Sequence, residues 1–182
     1  MARILTVVST RHATSCCQLN WQNLKSKAAQ FTVFYLVILL TTGGPVLAND
    51  DVESLLARAE PPHGVVFEIV EADEAALEEL LPAVRDAIEK IRSKFPETEF
   101  AVVSHGKEEF ALQTQYQGEL AELHQQVQSL VAEDVPVYVC ETHAGWYGVT
   151  AEDFPEYVNV APTGPGQIRL YQELGYELIV IE

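Results

Sequence analysis

The sequence predicts an α/β fold, a three-layer α/β/α sandwich built on a mainly parallel five-stranded sheet. Two observations lead there. From Gly64 onward, short apolar β-branched runs alternate with stretches of three-to-four-residue periodicity, the pattern of strands joined by crossover helices. Each boundary carries a proline, a glycine or a capping residue, so the elements are separately punctuated.

Taken in order, Asn49 to Pro62 forms a helical lead-in, with Val52, Leu55, Leu56 and Ala59 at helical spacing and Pro61-Pro62 as its stop. Gly64 to Val70 is a first strand, and Glu71-Ala-Asp73 a turn and cap. Leu77, Leu80, Leu81, Val84, Ala87, Ile88 and Ile91 mark the second helix, in which Pro82 predicts a kink or a late start. Glu99 to Ser104 is the second strand, with His105-Gly106 as the turn at its end. Lys107 to Gln117 has no clear period. Leu120, Leu123, Val127, Leu130 and Val131 mark a third helix, with His124 expected on its wet face and His63 incidental. Val137 to Cys140 is the third strand. Thr150 to Phe154 reads as a helical turn with a Thr150–Asp153 capping box. Tyr157 to Val160 is a fourth strand. Thr163-Gly-Pro-Gly166 opens a helix that Gly175 stops, and Glu177 to Ile181 is the fifth strand.

At 182 residues the chain is long enough for one domain with a real core, residues 63–182, after a leader of residues 1–48 and the lead-in of residues 49–62. No acid precedes Asp50. Seven of the 11 bases lie beyond Asn49 against all 27 acids, so that segment carries a formal −20. Such a charge repels phosphate backbones and argues against nucleic acid as a partner.

Phe31 to Leu40 is a ten-residue apolar run. It is short for a bilayer core of about 30 Å and suits a signal peptide. Lys25 and Lys27 precede it, Thr41-Thr-Gly-Gly-Pro45 breaks it, and Val46-Leu47-Ala48 offers small residues for cleavage between Ala48 and Asn49. Export to a periplasm or secretion is the expectation, with membrane contact only through this leader if it stays uncleaved. The region before Lys25, with Cys16 and Cys17, is long for the basic part of a leader; a translation start downstream of Met1 would account for that.

The chemistry is expected at the end of the third strand. Cys140 is the sole cysteine after Ala48, so the mature domain has no internal disulfide. In an open α/β sheet, ligands gather outside the carboxyl ends of the strands, and Cys140 ends one. Thiolate is the nucleophilic form of cysteine, and His143, three residues on, and His105, on the neighbouring loop, are the bases expected to favour it. Glu141 and the overall charge oppose them. A lone strand cysteine is otherwise a small buried hydrophobe. Cys140, His143 and His105 also match three ligands of a transition metal, a rival reading without a second ligand pair to strengthen it. Thr163, Gly164 and Gly166 at a helix start form a candidate anion cradle. Trp146 and Tyr147 suit a pocket lining or an oligomer contact.

Four stretches taken together resemble the DsrE/DsrF-like family: Val65-Val-Phe-Glu-Ile69, Val102-Val-Ser-His-Gly106, Val137-Tyr-Val-Cys-Glu-Thr142, and Leu170-Tyr-Gln-Glu-Leu-Gly-Tyr-Glu-Leu-Ile179. The resemblance covers about residues 63 to 182. It implies a small α/β/α domain that self-associates and, in the sulfur-relay members, a persulfide carried on a cysteine at the position of Cys140. Glu141-Thr-His143 replaces the small polar residues, often Gly-Asn-Thr, that usually follow that cysteine. The resulting expectation is an exported, homo-oligomeric protein that handles sulfur through Cys140, exchanging it with a donor or acceptor protein and needing no cofactor. A non-enzymatic small-ligand or metal-binding module of the same fold is the alternative.

Overall fold

The computed structural model describes residues 48–182. The apolar run, Cys16, Cys17 and the rest of the expected leader lie outside the described residues. Among the described residues no helix is long and apolar enough to cross a membrane.

The lead-in helix α1 (Ala48–Leu56) precedes strand β1 (Gly64–Ile69), helix α2 (Ala76–Lys94) and strand β2 (Glu99–Ser104). The stretch without a clear period is two 3-10 turns, Lys107–Leu112 and Thr114–Tyr116. Helix α3 (Ala121–Ala132), strand β3 (Val137–Cys140), helix α4 (Glu141–Trp146) and the 3-10 turn Ala151–Asp153 follow. Strand β4 (Asn159–Ala161), helix α5 (Gly164–Glu173) and strand β5 (Tyr176–Ile181) complete the domain. The capping box at Thr150 forms as read: its N–H donates to Asp153 Oδ2 at 2.7 Å. Helix α2 starts well before Pro82 and continues through it, so the late start does not occur. The buried row of Leu77, Leu81, Val84, Ile88 and Ile91 holds that helix on the sheet, which outweighs the one backbone bond proline removes.

All five strands are parallel, in the order β4-β3-β2-β1-β5. Side-chain alternation divides the core in two. Val65, Phe67, Ile69, Phe100, Val102, Val137, Val139, Ile179 and Ile181 pack with α1, α2 and α3 on one face. Val66, Ala101 and Val103 pack with Ile168 of α5 on the other, flanked by Tyr138, Tyr171, Tyr176 and Leu178. The lead-in belongs to this core, because Val52 and Leu55 are buried in the larger cluster.

The chain steps from β1 to β4 in one direction and then returns over the opposite face through α5 to place β5 beside β1. The connections leaving β3 and β4 therefore depart toward opposite faces. Their carboxyl ends, Cys140 and Ala161, bound the crevice where such sheets bind ligands.

Candidate functional site

Cys140 pairs with Ala161 across that crevice. Strand alternation sets its side chain on the α5 side with Tyr138, and only 4% of the residue is exposed. Its backbone turns directly into α4 as the N-cap, and its Sγ accepts the His143 N–H at 3.3 Å. Thr142 ties the start of α4 to the end of β4: its hydroxyl donates to the Pro162 carbonyl at 2.7 Å and its N–H to the same oxygen at 3.2 Å.

The His143 ring does not meet the sulfur through this contact. It stacks on Phe110, with centroids 5.5 Å apart, and its Nδ1 lies 2.8 Å from Glu109 Oε1. Phe110 belongs to the larger core cluster, so the ring sits toward the opposite face from Cys140. The other oxygen of Glu109 accepts the Cys140 N–H at 2.7 Å. One carboxylate, with no exposed surface, thus holds the backbone of the cysteine and the imidazole of its neighbour. Burial pushes the Glu109 carboxyl above its ordinary value of 4.5, the Cys140 N–H and the histidine draw it back, and nearby Glu108 adds to the rise.

Glu108 is equally buried and does a different job. Its carboxylate accepts the Ser104 hydroxyl at 2.8 Å, the Gly106 N–H at 2.9 Å and the Glu71 N–H at 2.7 Å. It staples the loop after β1 to the loop after β2. Gly106 is required there, because a Cβ would come within 2.5 Å of the Glu71 carbonyl oxygen.

His105 lies on the sulfur's side of the sheet. The β2–β3 register runs Val102 to Val137 and Val103 to Tyr138; continued two residues, it brings His105 level with Cys140. Its Nε2 is 2.8 Å from Glu68 Oε1, and its Cβ is so close to Gly164 that a methyl group there would come within 2.5 Å. The geometry therefore separates the two histidines: His105 is on the face of the thiol, and His143 is anchored to Glu109 on the other. Both imidazoles have carboxylate partners.

Thr163 caps α5, and its hydroxyl accepts the Gly166 N–H at 3.1 Å. The Gln167 N–H goes to the Thr163 carbonyl and Pro165 has none, so of the first-turn donors only that of Gly164 remains for an anion. The glycine at 164 is explained by the approach to His105. Among the described residues no three His, Cys, Asp or Glu side chains are gathered so as to hold a metal ion.

Two expectations change. His124 is not on a wet face: it is 2% exposed, with Nδ1 2.5 Å from the Tyr157 hydroxyl and Nε2 3.1 Å from the Ala111 carbonyl oxygen. The 3-10 turns cover that side of α3, and burial lowers the pKa of His124 from 6.5. The second change is an addition. Glu109 and Glu68, the partners of both candidate bases, were not singled out by the sequence. Glu109 abuts the apolar run Phe110-Ala-Leu112 in an otherwise polar stretch, the one signal that it is drawn inside.

Fold and site together define a wholly parallel five-stranded α/β domain with a lone thiol at a strand end, in the crevice where the connections diverge. No family model matches the chain, and no curated protein matches it either. Among solved structures it is similar to the protein of unknown function MTH1491 from Methanobacterium thermoautotrophicum, at 25% identity and a TM-score of 0.53, over 65% of this chain and 98% of that one. A second, more distant likeness is to the conserved protein of unknown function BT1422 from Bacteroides thetaiotaomicron, at 10% identity and a TM-score of 0.42, over 64% of this chain and 94% of that one. The first likeness supports the α/β fold.

Proposed function

We propose that this chain is a DsrE-like sulfur-handling protein in which Cys140 takes up and hands on sulfane sulfur. The observation that carries the reading is the position of its sulfur: at the carboxyl end of β3, beside the diverging connections, with the His143 N–H donated to it. A backbone donor on sulfur is the contact that negative charge there would use.

In the step proposed, the Cys140 thiolate attacks the sulfane sulfur of a persulfide R–S–SH. A new Sγ–S bond forms as the donor's S–S bond breaks. The electron pair leaves with the donor sulfur, which takes a proton and departs as R–SH. Cys140 is left as the persulfide, with no net oxidation. His105, on the face of the thiol, is the base assigned to the cysteine proton, with Glu68 orienting it. His143 and Glu109 position the loop through the Cys140 N–H and the sulfur contact.

After exposure to polysulfide, the parent protein should be labelled by a persulfide-selective reagent and Cys140→Ser should not. Equal labelling of both removes the proposal. The near-complete burial of Cys140 favours a second reading, a non-enzymatic ligand-binding or assembly module with the thiol as packing. Slow reaction of the native protein with a small thiol reagent, fast only after unfolding, selects that reading.

A further inference from the structure

Three tyrosines edge the smaller core cluster under α5, and they stand in a row. The rings of Tyr138 and Tyr171 are 6.0 Å apart and those of Tyr171 and Tyr176 4.8 Å, both within the range of aromatic contact, about 4.5–7 Å. The Tyr171 hydroxyl donates to the Tyr138 hydroxyl at 3.2 Å. At one end of the row, Tyr138 is two residues from Cys140 on β3, so both side chains stand on the α5 side with Cα atoms about 6.6 Å apart. At the other end, Tyr176 reaches across β1 and donates to Glu99 Oε2 at 2.5 Å. Gly64 makes that crossing possible: it lies between the two in the register, and a Cβ there would come within 2.4 Å of the Tyr176 ring. The row thus joins a buried thiol at one rim of the sheet to an exposed carboxylate at the other.

The hydroxyls differ in what can take their protons. Tyr176 donates to a carboxylate, Tyr171 to another phenol, and among the described residues Tyr138 has no acceptor. Burial holds the Tyr171 phenol above its ordinary value of 10, and burial, with Glu99 adding to it, pushes Tyr176 up to about 12. Both are neutral near pH 7, so a lasting loss of an electron requires loss of the proton as well. Within the row, Tyr176 is the one with a base in place, because Glu99 lies within proton-transfer distance.

We propose that Tyr138, Tyr171 and Tyr176 relay single electrons to Cys140 after a small oxidising radical has taken a hydrogen atom from its thiol. The sulfur radical accepts an electron passed along the row and becomes the thiolate. Tyr176 is left as the neutral phenoxyl radical, and its proton goes to the Glu99 carboxylate, so atoms and charge balance. The radical moves from the interior to the rim, where a soluble reductant reaches it. This relay uses the place of Cys140 in the fold and does not depend on sulfane transfer.

The test makes the sulfur radical in place. The full chain carrying Cys16→Ser and Cys17→Ser, with Cys140 its sole thiol, is nitrosated in the folded form. A light flash then splits the S–N bond into the sulfur radical and nitric oxide. The readout is the transient absorbance of phenoxyl radical per nitric oxide released. This parent should give a phenoxyl signal. Tyr138→Phe, Tyr171→Phe, Tyr176→Phe and Glu99→Gln should each lower it on the order of tenfold or more, the last with every ring in place but no base for the proton. Tyr147→Phe and Tyr157→Phe should leave it unchanged. All these variants should still take up sulfane sulfur, which keeps this outcome separate from that of the persulfide labelling. A parent without a phenoxyl signal overturns the proposal, and so does a signal that survives the three phenylalanine changes or the glutamine. A folded chain whose sulfur takes no nitroso group overturns it too, since such a sulfur meets no small oxidant.

Discussion

Replacing Glu109 separates what its carboxylate holds from what its burial costs. Glu109→Ala strands the buried Cys140 N–H, now bonded at 2.7 Å, at a cost of about 1–3 kcal/mol. It also deletes one buried methylene, worth about 0.8 kcal/mol before any cavity term. Against this, truncation relieves the desolvation that keeps the carboxyl above 4.5. The net loss expected at neutral pH is about 2–3 kcal/mol. Glu109→Gln keeps the shape and an acceptor for the Cys140 N–H while removing the ionisation, so it should cost less than about 1 kcal/mol. The pH dependence distinguishes the two effects. A carboxyl raised in the folded state binds more protons there than in the unfolded chain. Its contribution is therefore fully present below 4.5 and lost as pH rises through the raised value, with no further change above it. Urea unfolding over a pH series measures both quantities. The alanine variant should have a lower midpoint at neutral pH, and the glutamine variant should lose the falling slope. An alanine variant within about 0.5 kcal/mol of the parent, or a glutamine variant with an undiminished slope, refutes the shared-carboxylate account.

His124 should act in the opposite sense. Its folded pKa is lowered, so the stability it confers is complete above 6.5 and lost as pH falls through the lowered value; in a Glu109→Gln background, His124→Gln should flatten that acid-side loss in the same unfolding series. Gly164→Ala places a methyl group about 2.5 Å from the His105 Cβ, and should lower stability by about 1–3 kcal/mol and shift the His105 ring resonances, whereas an unshifted ring would show that α5 does not press on it.

Elements defined by local pattern were legible in the sequence. The periodic row from Leu77 to Ile91 gave α2, the β-branched run from Gly64 gave β1, and Gly175, at a positive φ of 90°, stops α5 as read. What depends on neighbours distant in the chain was not. His124 lies at helical spacing from Leu120, Val127 and Val131, on the buried arc of its helix, and only its polar character pointed it to water. Ala111 and Tyr157, which bury and bond it, arrive from a 3-10 turn and from the approach to β4. Glu109 was hidden for a related reason. In a chain with 27 acids, no composition rule distinguishes the one carboxylate that a turn folds inward against Phe110 and Cys140. The strand-end position of Cys140 was readable, but the commitment of each imidazole to its own carboxylate needed coordinates.

The seating of β5 beside β1 bears on how the domain is made. Gly64 to Ile69 find one neighbour in β2 and the other in Tyr176 to Ile181, the last of the five strands in chain order. Until that segment emerges from the ribosome, the first strand keeps an open flank and the sheet cannot close cooperatively. Without Tyr176 to Ile181 the first strand would itself become the sheet's edge, its unpaired flank open to sticking.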